Sequence, residues 1–130
     1  MKLHHTAVWV TDLEKVKDYY IRHFGAKSNQ LYENKETGFK SYFLSFDSGS
    51  QLEIMYRADI PENANDIVGK QHKGLIHLSF LVDSKGEVDK KAEELRNAGY
   101  PVLRGPRVTG DGYYEFETLD PEGNRLEVMC

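Results

Sequence analysis

The sequence predicts an α+β fold built from two tandem βαβββ modules, and three observations predict it. A phrase of strand character occurs twice, as Leu52-Glu53-Ile54-Met55 and Leu126-Glu127-Val128-Met129, each with a glycine four places before its glutamate (Gly49 and Gly123). Each glutamate follows a histidine on another strand-like run at nearly the same separation, 48 residues from His5 to Glu53 and 50 from His77 to Glu127. Each half also holds one segment of helical periodicity followed by strand-like runs. A repeat of this size implies two similar supersecondary units. The modules are residues 1–56 and 74–130, joined by 57–73 and counted as one domain over 1–130.

In chain order, residues 3–10 are rich in β-branched and aromatic side chains and read as a strand. Alternation places Leu3, His5, Ala7 and Trp9 on one face and His4, Thr6, Val8 and Val10 on the other. Thr11 or Asp12 can cap the helix that follows, where Leu13, Val16, Tyr19, Tyr20 and Phe24 form an apolar stripe and Gly25 fits the position past its end. Three strands come next, a weak one over 27–33 and strong ones over 41–46 and 51–56, with turn chemistry at 34–38 and 47–50. Residues 57–73 are polar, contain Pro61, Asn63, Asn65 and Gly69, and read as a long connection. The second half repeats the pattern: a strand over 75–82, a helix over 86–98 with Val88, Ala92 and Leu95 inward and Gly99 after it, and strands over 100–103, 113–119 and 125–129. Gly105-Pro106 and Asp120-Pro121-Glu122-Gly123 read as turns.

Composition narrows the function classes. With 39% hydrophobic and 12% aromatic residues, the chain can build a core. A net charge of −4 argues against a nucleic-acid partner. The one cysteine, Cys130, offers neither an internal disulfide nor a thiolate metal cluster. No apolar run at the N-terminus marks a signal peptide or a membrane span, so a cytoplasmic location is expected.

The repeated histidine and glutamate carry the chemistry. His5 lies five places before Val10 and His77 five before Val82, which selects His5 over His4 as the counterpart of His77. Alternation puts Ala7, Trp9, Gln51, Met55, Ser79, Leu81, Arg125 and Met129 on the same mixed face as these residues, a face expected to form the concave wall of a pocket. The opposite face, with Val8, Val10, Leu52, Ile54, Leu78, Phe80, Leu126 and Val128, is expected to pack under the helices. A lone strand histidine is usually packing or surface, and an inward glutamate is rare unless paired. Two of each in matched register fit a divalent-metal site of His5, Glu53, His77 and Glu127, for which Zn, Ni or Co, and also Mn or Fe, are suited. His23 and His72 read as surface residues, and the charged run 85–96 as a solvated helix face.

These residues lie in phrases that resemble the vicinal oxygen chelate superfamily, which groups glyoxalase I, bleomycin resistance proteins and dioxygenases. The phrases are His5-Thr6-Ala7-Val8-Trp9-Val10-Thr11-Asp12-Leu13, Phe24-Gly25, Gln51-Leu52-Glu53, Gly74-Leu75-Ile76-His77-Leu78-Ser79-Phe80 and Asp120-Pro121-Glu122-Gly123-Asn124-Arg125-Leu126-Glu127. The resemblance covers nearly the whole chain and is nearest the glyoxalase I (lactoylglutathione lyase) branch. It implies a curved, barrel-like mixed sheet with a concave metal site and one divalent ion per site. It also implies a homodimer whose sites are shared between chains, and a small-molecule substrate with two adjacent oxygens. In that chemistry a glutamate moves a proton between adjacent carbons through an enediolate. Glu127 is the better base by resemblance, with Glu53 its counterpart. Trp9 stands where glyoxalase I commonly has an arginine that anchors a glutathione carboxylate, and Arg57 where an asparagine is common. Trp9, Met55, Arg57 and Arg107 are therefore the candidate substrate-binding residues, and the use of a thiol co-substrate such as glutathione is left open. Two other readings compete: an Fe(II) extradiol-type dioxygenase, against which a fourth protein ligand counts, and a non-catalytic dimeric binder of small molecules such as drugs.

Overall fold

In a computed structural model, which describes residues 1–64 and 68–130, the chain divides into two compact units, Met1–Asn63 and Ala64–Cys130. Residues 65–67 of the connection, Asn65 among them, lie outside the described residues. The fold is α+β: among the described residues there are two sheets of mixed strand direction, one in each unit, each with one helix, and neither sheet closes into a barrel.

The first unit contains β1 (His5–Trp9), α1 (Leu13–Phe24), β2 (Lys27–Ser28), β3 (Tyr32–Asn34), β4 (Phe39–Ser45) and β5 (Gln51–Tyr56). The strand order is β1-β5-β4-β2, with β3 also pairing with β4. β1 runs parallel to β5 and the other pairs are antiparallel. Asp12 caps α1 by accepting from the Lys15 N–H at 3.0 Å. Gly25, at φ 66°, ends it, and the Ala26 N–H returns to the Tyr20 carbonyl at 3.1 Å. Leu13, Val16, Tyr19 and Tyr20 of α1 are buried and pack on the sheet face that carries Tyr42, Leu44, Leu52 and Ile54. Helix burial on this face leaves the opposite one, with His5 and Glu53, uncovered by α1.

The second unit contains β6 (Leu78–Leu81), α2 (Lys85–Asn97), β7 (Val102–Val108), β8 (Tyr114–Leu119) and β9 (Arg125–Met129), in the order β6-β9-β8-β7 with only β6 and β9 parallel. Two reciprocal side-chain hydrogen bonds, a variant of the capping box, open α2. Ser84 Oγ accepts from the Glu87 N–H at 3.3 Å, and the Glu87 carboxylate accepts from the Asp83 N–H at 2.7 Å. Val88, Ala92 and Leu95 are fully buried over Phe116, Leu126 and Val128.

Four expectations need correction. The strand expected over 27–33 is broken in two, because Asn29 takes over the ladder: its side chain accepts from Phe43 N at 2.8 Å while its own N–H donates to Phe43 O at 3.1 Å. The strand expected over 75–82 begins only at Leu78, whose partner Leu126 is the first paired residue on β9. Gly105-Pro106 is no turn but part of β7, where two register shifts against β8 accommodate it. Proline is tolerated there because β7 is the edge strand. His23 is buried, its ring 5.3 Å from that of Tyr19, since it shares the inner edge of α1 with the residue four places earlier.

Candidate metal centre

The two glutamates are placed by equivalent hairpins. Before β5, Phe46 N donates to Ser50 O at 3.0 Å and Gly49 N to Phe46 O at 2.9 Å. Before β9, Asp120 N donates to Asn124 O at 2.9 Å and Gly123 N to Asp120 O at 3.0 Å. Gly49 and Gly123 both hold positive φ, at 85° and 80°, which is why glycine recurs four places before each glutamate. Asp120 is buried and tightens the second hairpin, accepting from the Glu122 and Asn124 N–H groups at 2.9 Å each.

Strand register then aligns side chains in rows, since directly paired residues project to the same face. In the first unit Glu53 is opposite Ala7 on β1 and Phe43 on β4. In the second, Glu127 is opposite Ser79 on β6 and Glu117 on β8, and Glu117 in turn is opposite Arg104 on β7. One row further along, Trp9, Met55, Ser41 and Tyr32 line up in the first unit, and Leu81, Met129, Glu115 and Arg107 in the second. The same scaffold thus presents an aromatic surround to Glu53 and a charged one to Glu127.

Each unit brings its histidine and glutamate together. His5 Nε2 lies 3.6 Å from Glu53 Oε2, and His77 Nε2 lies 3.9 Å from Glu127 Oε2. Both glutamate side chains are mostly buried, whereas the histidines are 35% and 40% exposed and so open to an incoming ion. Two donors about 2.1 Å from one ion sit roughly 3.0–3.4 Å apart at tetrahedral or octahedral angles. The observed separations of 3.6 and 3.9 Å lie just beyond that range, the second by about half an ångström, so each pair fits as half of a nitrogen–oxygen metal site after a small side-chain adjustment. Among the described residues no group of three or more His, Cys, Asp or Glu side chains gathers into one cluster; the pairing is one histidine with one glutamate.

Several supporting residues were not singled out from the sequence. His5 Nδ1 lies 2.8 Å from His4 Nδ1, which occupies the second ring nitrogen and leaves Nε2 toward Glu53. The His5 ring also meets Phe43 edge-on at 5.2 Å. Ser79 Oγ donates to Glu127 Oε1 at 2.8 Å, leaving Oε2 toward His77. Glu117 is held by Arg125 at 3.1 Å, with Arg107 at 3.7 Å and Arg104 at 3.8 Å. Glu115 is buried beside Glu127. Burial, then the hydrogen bond and charge of Glu127, raise its carboxyl above the ordinary pKa against the pull of Arg107. For Phe43, Glu115 and Glu117 the signal was cross-strand register, which alternation within single strands does not provide, whereas His4 is simply the chain neighbour of His5.

Of the candidate substrate-binding residues, Trp9 and Met55 share a row, and the guanidinium carbon of Arg57 lies 5.8 Å from the Trp9 ring centroid. Arg57 also engages Asp59 through Nε and thereby lowers the Asp59 carboxyl pKa. Arg107 is paired with Glu115 at 3.3 Å. Among the described residues no helix is long and apolar enough to cross a membrane.

Comparison with known proteins is consistent with this architecture. A family model described as the Glyoxalase/Bleomycin resistance protein/Dioxygenase superfamily matches residues 2–128. The chain is 30% identical to YqjT, an uncharacterized protein of Bacillus subtilis, over 98% of each chain. It is also 30% identical to a lactoylglutathione lyase of Escherichia coli O157:H7, over 99% of this chain and 92% of that one. Among solved structures, a glyoxalase family protein from Enterococcus faecalis superposes with a TM-score of 0.79 at 23% identity, covering 99% of this chain and 97% of the other. The trypanothione-dependent glyoxalase I of Leishmania major superposes with a TM-score of 0.77 at 20% identity, covering 99% and 86%.

Proposed function

Given that the chain belongs to the glyoxalase/bleomycin resistance protein/dioxygenase superfamily, we propose that it is a metal-dependent lyase or isomerase of glyoxalase type. Its substrate would be a 2-oxoaldehyde–thiol adduct or a similar small molecule with two adjacent oxygens. One observation carries the reading: a histidine and a glutamate meet in each unit, at 3.6 and 3.9 Å, the glutamate on the last strand of an equivalent parallel pair and the histidine on the first strand or immediately before it. The likeness to lactoylglutathione lyases over nearly the whole chain supports it.

His5, Glu53, His77 and Glu127 are the residues that would hold one divalent ion, with Zn, Ni or Co favoured and Mn or Fe also suited by the donor set. Such an ion, when bound, would acidify the C–H beside a carbonyl and stabilise negative charge developing on the adjacent oxygens. Glu127 is assigned the proton transfer between the two carbons, with Glu53 its counterpart. Ser79 orients Glu127 through Oε1, and His4 orients His5 through Nδ1. Each unit supplies two of the four ligands. The complete site is assigned to a homodimer in which the first module of one chain meets the second module of its partner, giving two equal sites. Trp9 cannot form a charge pair with a glutathione carboxylate, so weak use of glutathione is expected. A cytoplasmic location goes with this reading.

The test is elemental analysis of the purified protein together with a methylglyoxal–thiol isomerase assay. About one divalent ion per set of two His and two Glu is expected. Glu127→Gln should lose several orders of magnitude in turnover with the metal retained. His5→Ala and His77→Ala chains, each lacking metal, should on refolding together recover about a quarter of wild-type metal and activity, since half of randomly paired dimers carry one intact site of two. Full metal occupancy in both single variants would overturn the ligand assignment, and no recovery in verified heterodimers would overturn the shared site.

A further inference from the structure

The site-bearing face of the first unit is aromatic where its counterpart in the second unit is charged, and that difference specifies a ligand chemistry. Trp9, Met55, Ser41 and Tyr32 form one row across four strands. Phe39, at the start of β4, joins it: its ring centroid is 5.9 Å from that of Trp9 at an interplanar angle of 89°, and 6.1 Å from that of Tyr32. Scattered exposed rings are ordinary, but a contiguous group of them beside a site marks a binding surface, and here Trp9 is 40% and Tyr32 is 55% exposed. At the end of this wall stands Arg57, its guanidinium carbon 5.8 Å from the Trp9 centroid. A cavity of about 370 Å³ lined by Thr37, Gly38, Arg57, Ala58 and Asp59 opens beside it. Asp59 takes the Nε–H of Arg57, and the fork of the guanidinium retains its terminal N–H donors.

The wall lies one row from Glu53. Two residues along a strand span about 7 Å, roughly the length of a phenyl ring with its substituent. A small molecule with reacting oxygens at the His5–Glu53 level reaches Trp9 if it carries a group of about that length, and a flat group matches the ring surfaces of Trp9 and Phe39. We infer that Trp9, Phe39 and Arg57 form a recognition subsite for a planar, aryl-bearing anion, with the ring against Trp9 and Phe39 and the carboxylate on Arg57. The inference rests on the proposed reaction site only for the identity of this ligand as substrate; binding itself requires no turnover. Asp59 competes for Arg57, so the rings supply most of the affinity and the cation the selectivity.

Trp9 is the one tryptophan of the chain, so its fluorescence reads the subsite without a label. The experiment titrates the full chain, with a chelator present, against benzoylformate, against pyruvate as the ringless acid and against acetophenone as the uncharged ring. Saturable quenching by benzoylformate is expected at concentrations at least about tenfold lower than by pyruvate. Arg57→Gln should weaken benzoylformate about tenfold and leave acetophenone unchanged. Phe39→Leu should weaken both aryl ligands, and Asp59→Asn should tighten benzoylformate alone, with thermal melts verifying that each variant is folded. Absence of saturable quenching overturns the subsite. So does quenching indifferent to Arg57→Gln and Phe39→Leu, or quenching seen only after dilution to monomer, which would assign the wall to a second copy of the chain. Saturable binding without any isomerase activity would retain the subsite and sink the glyoxalase reading. Isomerase activity without aryl binding would do the reverse.

Discussion

Replacing Gly105 by alanine tests how β7 delivers its arginines to the second unit's charged face. Between Val102 and Val108 the strand spends two more residues than its partner does between Thr118 and Tyr114, and the shifts fall on either side of Arg104. As a result Arg104 and Arg107, an odd number of residues apart, both stand opposite glutamates on one face, Glu117 and Glu115. Gly105 makes this possible with a φ of 79°. A Cβ there would lie 2.4 Å from the Glu115 carbonyl oxygen and 3.0 Å from Phe116 Cα, both backbone atoms of the neighbouring strand. The left-handed conformation costs an L-residue about 1–2 kcal/mol. Moving two paired backbones apart costs roughly 1–3 kcal/mol more. The expected loss is therefore about 2–5 kcal/mol, or roughly 8–20 °C in melting temperature for a chain of this size. Far-UV circular dichroism is the assay, because Trp9 fluorescence reports on the first unit alone. Gly110→Ala is the control: a Cβ there meets nothing within 4 Å, and its φ is not in the left-handed range, so a change within about 0.5 kcal/mol is expected. A Gly105→Ala protein as stable as the control would refute the bulge and the arginine placement derived from it.

Two further outcomes follow from the surroundings of Glu127. Because the Glu115 carboxyl is raised above its unfolded value, its contribution to stability is fully present below the unfolded carboxylate pKa and is lost as pH rises through the folded one. Denaturant titrations from pH 4 to 8 should show wild type losing stability relative to Glu115→Gln as pH climbs, and a pH-independent difference would contradict this. Ser79→Ala removes the hydroxyl that orients Glu127 and should weaken divalent-metal affinity about 10- to 100-fold by calorimetry, while Ser79→Thr restores most of it; equal affinities in all three proteins would remove Ser79 from the site.

Much of this architecture was legible along the chain. Alternation placed Glu53 and Glu127 opposite to the core-facing Leu52, Ile54, Leu126 and Val128, and the glycines four places earlier marked the two hairpins. Legibility failed where side chains or bulges replace regular backbone pairing. Asn29 breaks its strand with a side-chain hydrogen bond, and the Gly105-Pro106 pair, which has the composition of a turn, is absorbed into an edge strand. It failed again where meaning lies between strands. Glu115 and Glu117 are unremarkable in sequence, and only register sets them beside Glu127 and the three arginines. Tyr32 and Phe39 similarly become neighbours of Trp9 only through the β3–β4 and β1–β5–β4 pairings.

The order of strands has a consequence for how the protein comes into being. In each unit the strand synthesised last is not added at an edge: β5 enters between β1 and β4, and β9 between β6 and β8. The partner it meets in parallel is the strand made first, so this closure spans almost a whole module and is its least local step. The glutamate of each pair rides on that final strand and the histidine on or beside the first. A module still being synthesised therefore displays its histidine without the glutamate until the last strand is threaded home, and the histidine–glutamate pair can arise only in a module whose sheet is already complete.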